Sequence, residues 1–400
     1  MPDVALLDRP THVAADKVID FDFYKDLSIP EPHDLIARFA AEHPVFWTPR
    51  NGGHWVLAGH PELFEASRNT EVFSSHDMSI PPQAFLVKQY PINSDPPEHA
   101  IYREPLSRAF SPKAMMGLQD KIRDLAVKLI EKVKTRGSCD FAHEIAEPLP
   151  VTIFMQLAGM PLENMPIYRE WVTDLLTSAD AVNKAAVIKM VTDAMMEIVE
   201  QRKAKREDDL ISILLDTPID GRPVTDEEMR GFCVLLFIGG LDTVMNGMCY
   251  GARHLARNPQ LQAELRAHPE RITDMMEETL RRYTFTMPPR VVAKDADLFG
   301  VHFKEGDKVL LMLAGADLDA REFPNPENFR LDRENKVHMA FNSGPHRCVG
   351  SHLARIELRI LYEELLKRLP EFRLDPARPP EITGGNVIGF KSLHLLWDPA

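Results

Sequence analysis

One stretch constrains the chain more than any other. Thr225-Asp226-Glu227-Glu228 opens a run of helical period that continues to Arg257, where Asn258-Pro259 stops it. Threonine at the cap with glutamate three residues later forms a capping box, each side chain satisfying a backbone N–H that the helix leaves open. Roughly 32 residues at 1.5 Å each give a helix about 48 Å long, so it should cross the whole domain. Its charge-free part, Gly231 to Leu241, falls short of the ~20 apolar residues that a membrane span needs, and so reads as a buried core helix. A second helix is expected from about Gly350 to Leu369, closed by Pro370. Leu353, Ile356, Ile360, Leu361 and Leu365 form its apolar stripe, with Arg355, Glu357 and Arg359 outside it.

The 32 prolines fall in clusters between helical stretches, and no repeat or Gly/Ser linker divides the chain. This predicts one mainly α domain over 1–400 with small antiparallel sheets, residues 1–18 forming a loosely ordered N-terminal arm. Strand signals lie at 54–58, 291–292, 301–303, 309–312 and 387–397, several flanking Gly-containing turns. Basic minus acidic residues is 47 − 60 = −13, which argues against a nucleic-acid partner, since phosphate demands a cationic footprint. The four cysteines contain no CxxC pair and make no disulfide framework. The N-terminus shows no secretory pattern. The expectation is a soluble, cytoplasmic monomer with no membrane segment.

Three segments could carry chemistry. Gly239 and Gly240 sit in mid-helix, at a cost of about 1 kcal/mol each relative to alanine. Either a neighbouring helix packs closely there, with Asp242 in an ion pair and Thr243 bonded to its own helix, or the bare backbone admits a flat or diatomic ligand beside Asp242 and Thr243 as proton-relay groups. Glu-x-x-Arg occurs three times, at Glu227/Arg230, Glu278/Arg281 and Glu327/Arg330, and is nearly worthless by itself. The strongest segment runs from Phe341 to Gly350. It presents Cys348 at a helix mouth, beside His346 and Arg347, where a thiolate is stabilised. Zinc would want three or four N/S ligands, and His346 with Cys348 gives two at most. A single thiolate on a glycine-rich loop suits one axial bond to haem iron. Cys139, Cys233 and Cys249 read as inert buried thiols.

Phe341-x-x-Gly344-x-His346-x-Cys348-x-Gly350 resembles the cysteine-ligand loop of the cytochrome P450 haem-thiolate monooxygenases. Gly239-Gly240-x-Asp242-Thr243 is similar to that family's oxygen-binding helix, and Glu278-x-x-Arg281 to its core ion pair. Phe323-Pro324-Asn325-Pro326 resembles its meander, and Asp95-Pro96-Pro97-Glu98-His99 with Arg103 its haem-edge helix. The likeness spans roughly residues 20 to 398 and leans toward the bacterial camphor-hydroxylase branch. It implies haem b ligated by Cys348, with His99, Arg103, Arg290 and His346 on the two propionates. It further implies proton delivery through Asp242 and Thr243, and a structural Glu278–Arg281 pair with Asn328 as third partner.

The resemblance also implies a pocket lined by Phe85, Val87, Ile238, Gly239, Thr286, Val387 and Ile388. The position of the camphor enzyme's substrate-binding tyrosine is Val87, so a small hydrophobic terpenoid or norisoprenoid is expected, with camphor a poor fit. The chain has no flavin or dinucleotide fingerprint, so electrons must come from outside. A [2Fe–2S] ferredoxin with its NAD(P)H-dependent reductase is expected to dock on Arg103, Arg108, Arg347 and Arg355. The alternatives are a peroxide-driven peroxygenase and a non-catalytic haem sensor.

Overall fold

The computed structural model describes residues 9–81, 87–177, 181–241 and 243–398. Asp242 and Phe85 therefore lie outside the described residues. The helices that matter for the site are α1 (Glu98–Ala109), α2 (Gln119–Lys134), α3 (Asp226–Leu241), α4 (Thr243–Ala256), α5 (Ile272–Arg282) and α6 (Ser351–Arg368). Their apolar faces contribute to one large core cluster, from Leu106 through Phe237, Met248 and Leu280 to Leu365. The capping box forms as expected: the Glu228 N–H donates to Thr225 Oγ1 at 3.2 Å, and the Thr225 N–H donates to Glu228 at 2.7 Å. Taken over its full length, Asp226–Ala256 is long and apolar enough to cross a membrane, but 62% of its most apolar window is buried within the fold.

A five-stranded sheet flanks the helices. Its strands are β1 (Val45–Thr48), β2 (His54–Leu57), β3 (Phe73–Ser74), β4 (Pro289–Val292) and β5 (Lys308–Leu311), in the order β1-β2-β5-β4-β3. β2 and β5 run parallel, with Trp55 opposite Val309; the other pairs are antiparallel. The expected strand at 387–397 divides in two. Gly389–Ser392 pairs with Glu381–Thr383, whereas His394–Trp397 joins Ser138–Asp140 and Phe372–Leu374. Between them the Leu393 N–H goes to Asp140, which turns the chain from one sheet to the other.

Two expectations need correction. The loose arm does not extend to residue 18: Val13 is fully buried, and the Ile19 N–H bonds the Trp47 carbonyl at 2.9 Å beside a Val18–Trp47 bridge. Glu357 is not outside the stripe of α6 but 1% exposed. The spacing explains this, because Leu353, Ile360, Leu361 and Glu364 at i−4, i+3, i+4 and i+7 share its face.

Candidate active site

Cys348 sits just before α6, in a loop tied back on itself. Its N–H donates to the Phe341 carbonyl at 2.8 Å, and the Arg347 N–H to the Gly344 carbonyl at 3.2 Å. Gly344 has φ +68°, and a Cβ there would lie 2.6 Å from the Ser67 carbonyl oxygen, so only glycine fits. Cys348 has an exposed surface while the other three cysteines are buried. Crowding by protein still raises its thiol pKa, against the Gly350 N–H and the charges of Arg103, Arg347 and Arg355, which favour the thiolate. Burial alone pushes Cys233 up to about 12, and it dominates the same shift at Cys139, so both sit inside the fold as neutral thiols.

Four basic groups from three distant segments gather beside this loop. His99 and Arg103 come from α1, Arg290 from β4 and His346 from the cysteine loop. The His99 and His346 rings lie 4.4 Å apart. Arg103 donates to the Arg347 carbonyl. Arg290 is 1% exposed and donates to the Pro289 carbonyl at 2.7 Å. No carboxylate lies within ion-pair distance of Arg103 or Arg290 among the described residues, and the Nε2 atoms of both histidines are buried without a hydrogen bond. Each group is consequently less basic than usual. Desolvation, aided by Arg103, takes His99 to about 4. Desolvation, then Arg290, His99 and Arg103, take His346 to about 2. Desolvation takes Arg290 to about 10 and also lowers Arg103. The Asp95 charge reaches His99 and Arg290 without outweighing burial, and it pairs with neither. A buried cluster of donors without a paired carboxylate among the described residues is the complement of a cofactor that ends in two carboxylates. The residues present therefore fit haem, with Cys348 as the only thiol in reach.

The mid-helix glycines have different reasons. A Cβ on Gly240 would sit 2.4 Å from the Phe154 ring, so Gly240 serves packing. A Cβ on Gly239 would meet nothing within 4 Å, so Gly239 leaves open space. Thr243 is half-buried, and its hydroxyl reaches back to the Gly239 carbonyl at 3.4 Å, a long and weak contact. Thr286 and Val387 form a lone antiparallel bridge and are half-buried, as are Ile238 and Val87. Ile388 is fully buried, in a core cluster with Met287 and Ile80.

The ion pair also differs from expectation. Arg281 holds Glu278 at 2.8 Å through two nitrogens, but the third partner is Arg333, whose Nε donates to Glu278 at 2.9 Å. Asn328 contributes only its backbone carbonyl, which accepts from both arginines. Arg281 and Arg333 also bind the carbonyls of Asp317, Pro324, Asn325 and Pro326, so one buried carboxylate wires the meander to α5. Arg333 is visible in the sequence only as a basic residue in a proline-rich loop; nothing local marks it.

Of the expected docking cations, Arg355 is bound to Glu277 at 2.6 Å and Arg108 to Glu104, while Arg347 is exposed without a carboxylate partner among the described residues. Spacing alone does not reveal Glu277 or its second partner His338.

A mainly helical fold with α3 and α4 in its core, a helix-mouth thiol and a cationic cluster without paired carboxylates among the described residues defines a haem-thiolate protein. The cytochrome P450 family model matches residues 152–393, and the chain belongs to the cytochrome P450 family. It is 34% identical to the probable cytochrome P450 127A1 of Sinorhizobium fredii, over 97% of this chain and 96% of that protein. It is 32% identical to a steroid C26-monooxygenase of Mycolicibacterium smegmatis, over 90% and 91%. The crystal structure of cytochrome P450 CYP101C1 superposes with a TM-score of 0.90 at 35% identity, covering 98% of this chain and all of that one. The family uses cysteine-ligated haem b and O2, with reducing equivalents from NADPH through redox partners, and the chain is a P450 monooxygenase.

Proposed function

We propose that this chain acts as a single haem-thiolate domain that hydroxylates a small hydrophobic terpenoid or norisoprenoid with electrons from a [2Fe–2S] ferredoxin. The observation that carries the haem assignment is the buried cluster of His99, Arg103, Arg290 and His346 beside the Cys348 loop, in which no ion pair to a carboxylate forms among the described residues. Haem held by these residues would supply oxygen activation: with two electrons and two protons, one atom of O2 would enter a C–H bond and the other would leave as water. Cys348 is the iron ligand, held by the Phe341 carbonyl and favoured as thiolate by the Gly350 N–H and the start of α6. The four basic groups hold the propionates. Thr243 and Asp242 carry protons, and the open space at Gly239 supports access of a small molecule to that stretch of helix.

The half-buried apolar side chains Val87, Ile238 and Val387, with Thr286, favour a compact apolar substrate over a polar one. The similarity to CYP101C1 favours a ferredoxin donor, and the acidic whole with exposed Arg347 leaves a place for an acidic partner. The buried long helix favours a cytoplasmic enzyme. The test combines two measurements. The reduced, carbon-monoxide-treated protein should show the red-shifted Soret band of a thiolate adduct, and Cys348→Ser should lose it. Ferredoxin, reductase and NADH should then yield oxygenated product from a terpenoid panel. Product from peroxide alone at an equal rate would favour the peroxygenase, and absence of product with an intact spectrum would favour the sensor.

A further inference from the structure

Glu277 lies on α5 next to the structural Glu278, and its carboxylate faces elsewhere. It accepts from His338 Nε2 at 2.9 Å, and from Arg355 at 2.6 and 3.1 Å. His338 is 1% exposed at its side chain, and Glu277 is 19% exposed. Burial alone would raise the Glu277 pKa, but the hydrogen bonds from His338 and Arg355 outweigh it and hold the carboxyl down at about 2. The tautomer of His338 follows from geometry. Its Nδ1 accepts the Ala340 N–H at 3.2 Å, so the ring proton must sit on Nε2, facing Glu277.

These contacts converge on the strand of chain that delivers the ligand loop. His338 fixes Ala340, and the Met339 N–H is held by Asp317 at 2.7 Å. Arg355 lies over the Phe341 ring at 4.5 Å, and the Phe341 carbonyl accepts the Cys348 N–H at 2.8 Å. Arg355 is thus one residue from the Cys348 backbone anchor. From these contacts we propose that Glu277 is a positioning residue for the iron ligand: it holds Arg355 on Phe341 and His338 on Ala340, and offsets the Arg355 charge that the thiolate would otherwise feel. This rests on Cys348 being the ligand.

A carboxylate removed here has two separable effects. Glu277→Gln keeps the shape but turns an amide NH2 toward one of two donors and leaves the Arg355 cation unbalanced near the thiolate. An extra positive charge there favours the reduced iron centre. The haem reduction potential of E277Q should therefore move upward, and the fraction of the carbon-monoxide complex lacking the thiolate Soret band should rise. Arg355→Gln should move the potential downward. The E277Q/R355Q double variant should return close to the wild-type potential, because the charges cancel; purely structural damage would instead accumulate. An E277Q potential and Soret fraction equal to wild type, or a double variant further from wild type than either single, would overturn the proposal. Should E277Q fail to retain haem, His338→Gln, which can still accept from Ala340 and donate to Glu277, is compared with His338→Leu. Gln should keep the thiolate band and Leu should lose part of it; equal spectra would overturn the proposal. Absence of the thiolate band in wild type itself would refute the Cys348 assignment instead.

Discussion

Glu357 offers the sharpest physical test of the fold. Both carboxyl oxygens are buried without a hydrogen-bond partner, and burial raises the pKa from 4.5 to about 8. The sign follows directly. Between those two values the unfolded chain releases the proton and the native state keeps it, so native protein binds more protons and stability falls as pH rises. The stabilisation is complete below 4.5 and is lost as pH climbs through 8. The interval spans about 3.5 pH units at about 1.36 kcal/mol each, a total near 5 kcal/mol. Glu357→Gln removes the titration while keeping the shape. Urea unfolding of both holoproteins at pH 5, 6, 7 and 8 should show near-equal stability at pH 5, and between pH 5 and 8 the gap should widen by about 3 to 4 kcal/mol in favour of E357Q. Parallel curves across that range would mean that Glu357 is solvated or partnered in solution and would refute the argument.

Other outcomes follow from single contacts. Gly240→Ala must displace the Phe154 ring and should cost about 1–3 kcal/mol, whereas Gly239→Ala should gain up to about 1 kcal/mol from helix propensity, both read by thermal unfolding. Arg333→Ala leaves Glu278 with one cation and should cost about 3–5 kcal/mol in urea unfolding, while Asn328→Ala, which keeps the carbonyl that matters, should be nearly neutral. Arg290→Gln removes a fully buried donor and should speed haem transfer to apomyoglobin; an unchanged rate would exclude a propionate contact. Arg347→Glu should slow ferredoxin-driven turnover in a salt-dependent way, because Arg347 is exposed and has no carboxylate partner among the described residues.

What the sequence made legible was whatever local rules decide. The capping box and the Asn-Pro stop delimit the long helix within a residue or so. The Cys348 loop could be read because glycine, histidine and cysteine at fixed spacing do a job that no common structural motif shares. The camphor-type resemblance agrees with the CYP101C1 likeness. The opaque parts were set by contacts across many residues. Arg333 reaches Glu278 over 55 positions, and His338 reaches Glu277 over 61. No periodicity encodes such a pairing. Glu357 is a different case: its spacing places it in the apolar stripe, and its burial follows that spacing rather than its charge.

Counting charges along the chain also overstates what a partner can use. Residues 341–360 carry a surplus of arginine, but Arg355 is bound to Glu277, Arg359 to Glu363, and Glu357 favours its neutral form near pH 7. The cations therefore divide by what they lack. Those wired to internal carboxylates, Arg281, Arg333 and Arg355, hold the meander and the ligand loop. Those with no carboxylate at ion-pair distance among the described residues, Arg103, Arg290 and Arg347, are free to meet anions that arrive from outside the chain. Buried Arg290 suits a carboxylate that arrives with a cofactor. Exposed Arg347 suits one that arrives and leaves with a protein, since a pair that forms in water is weak enough to break at each electron delivered.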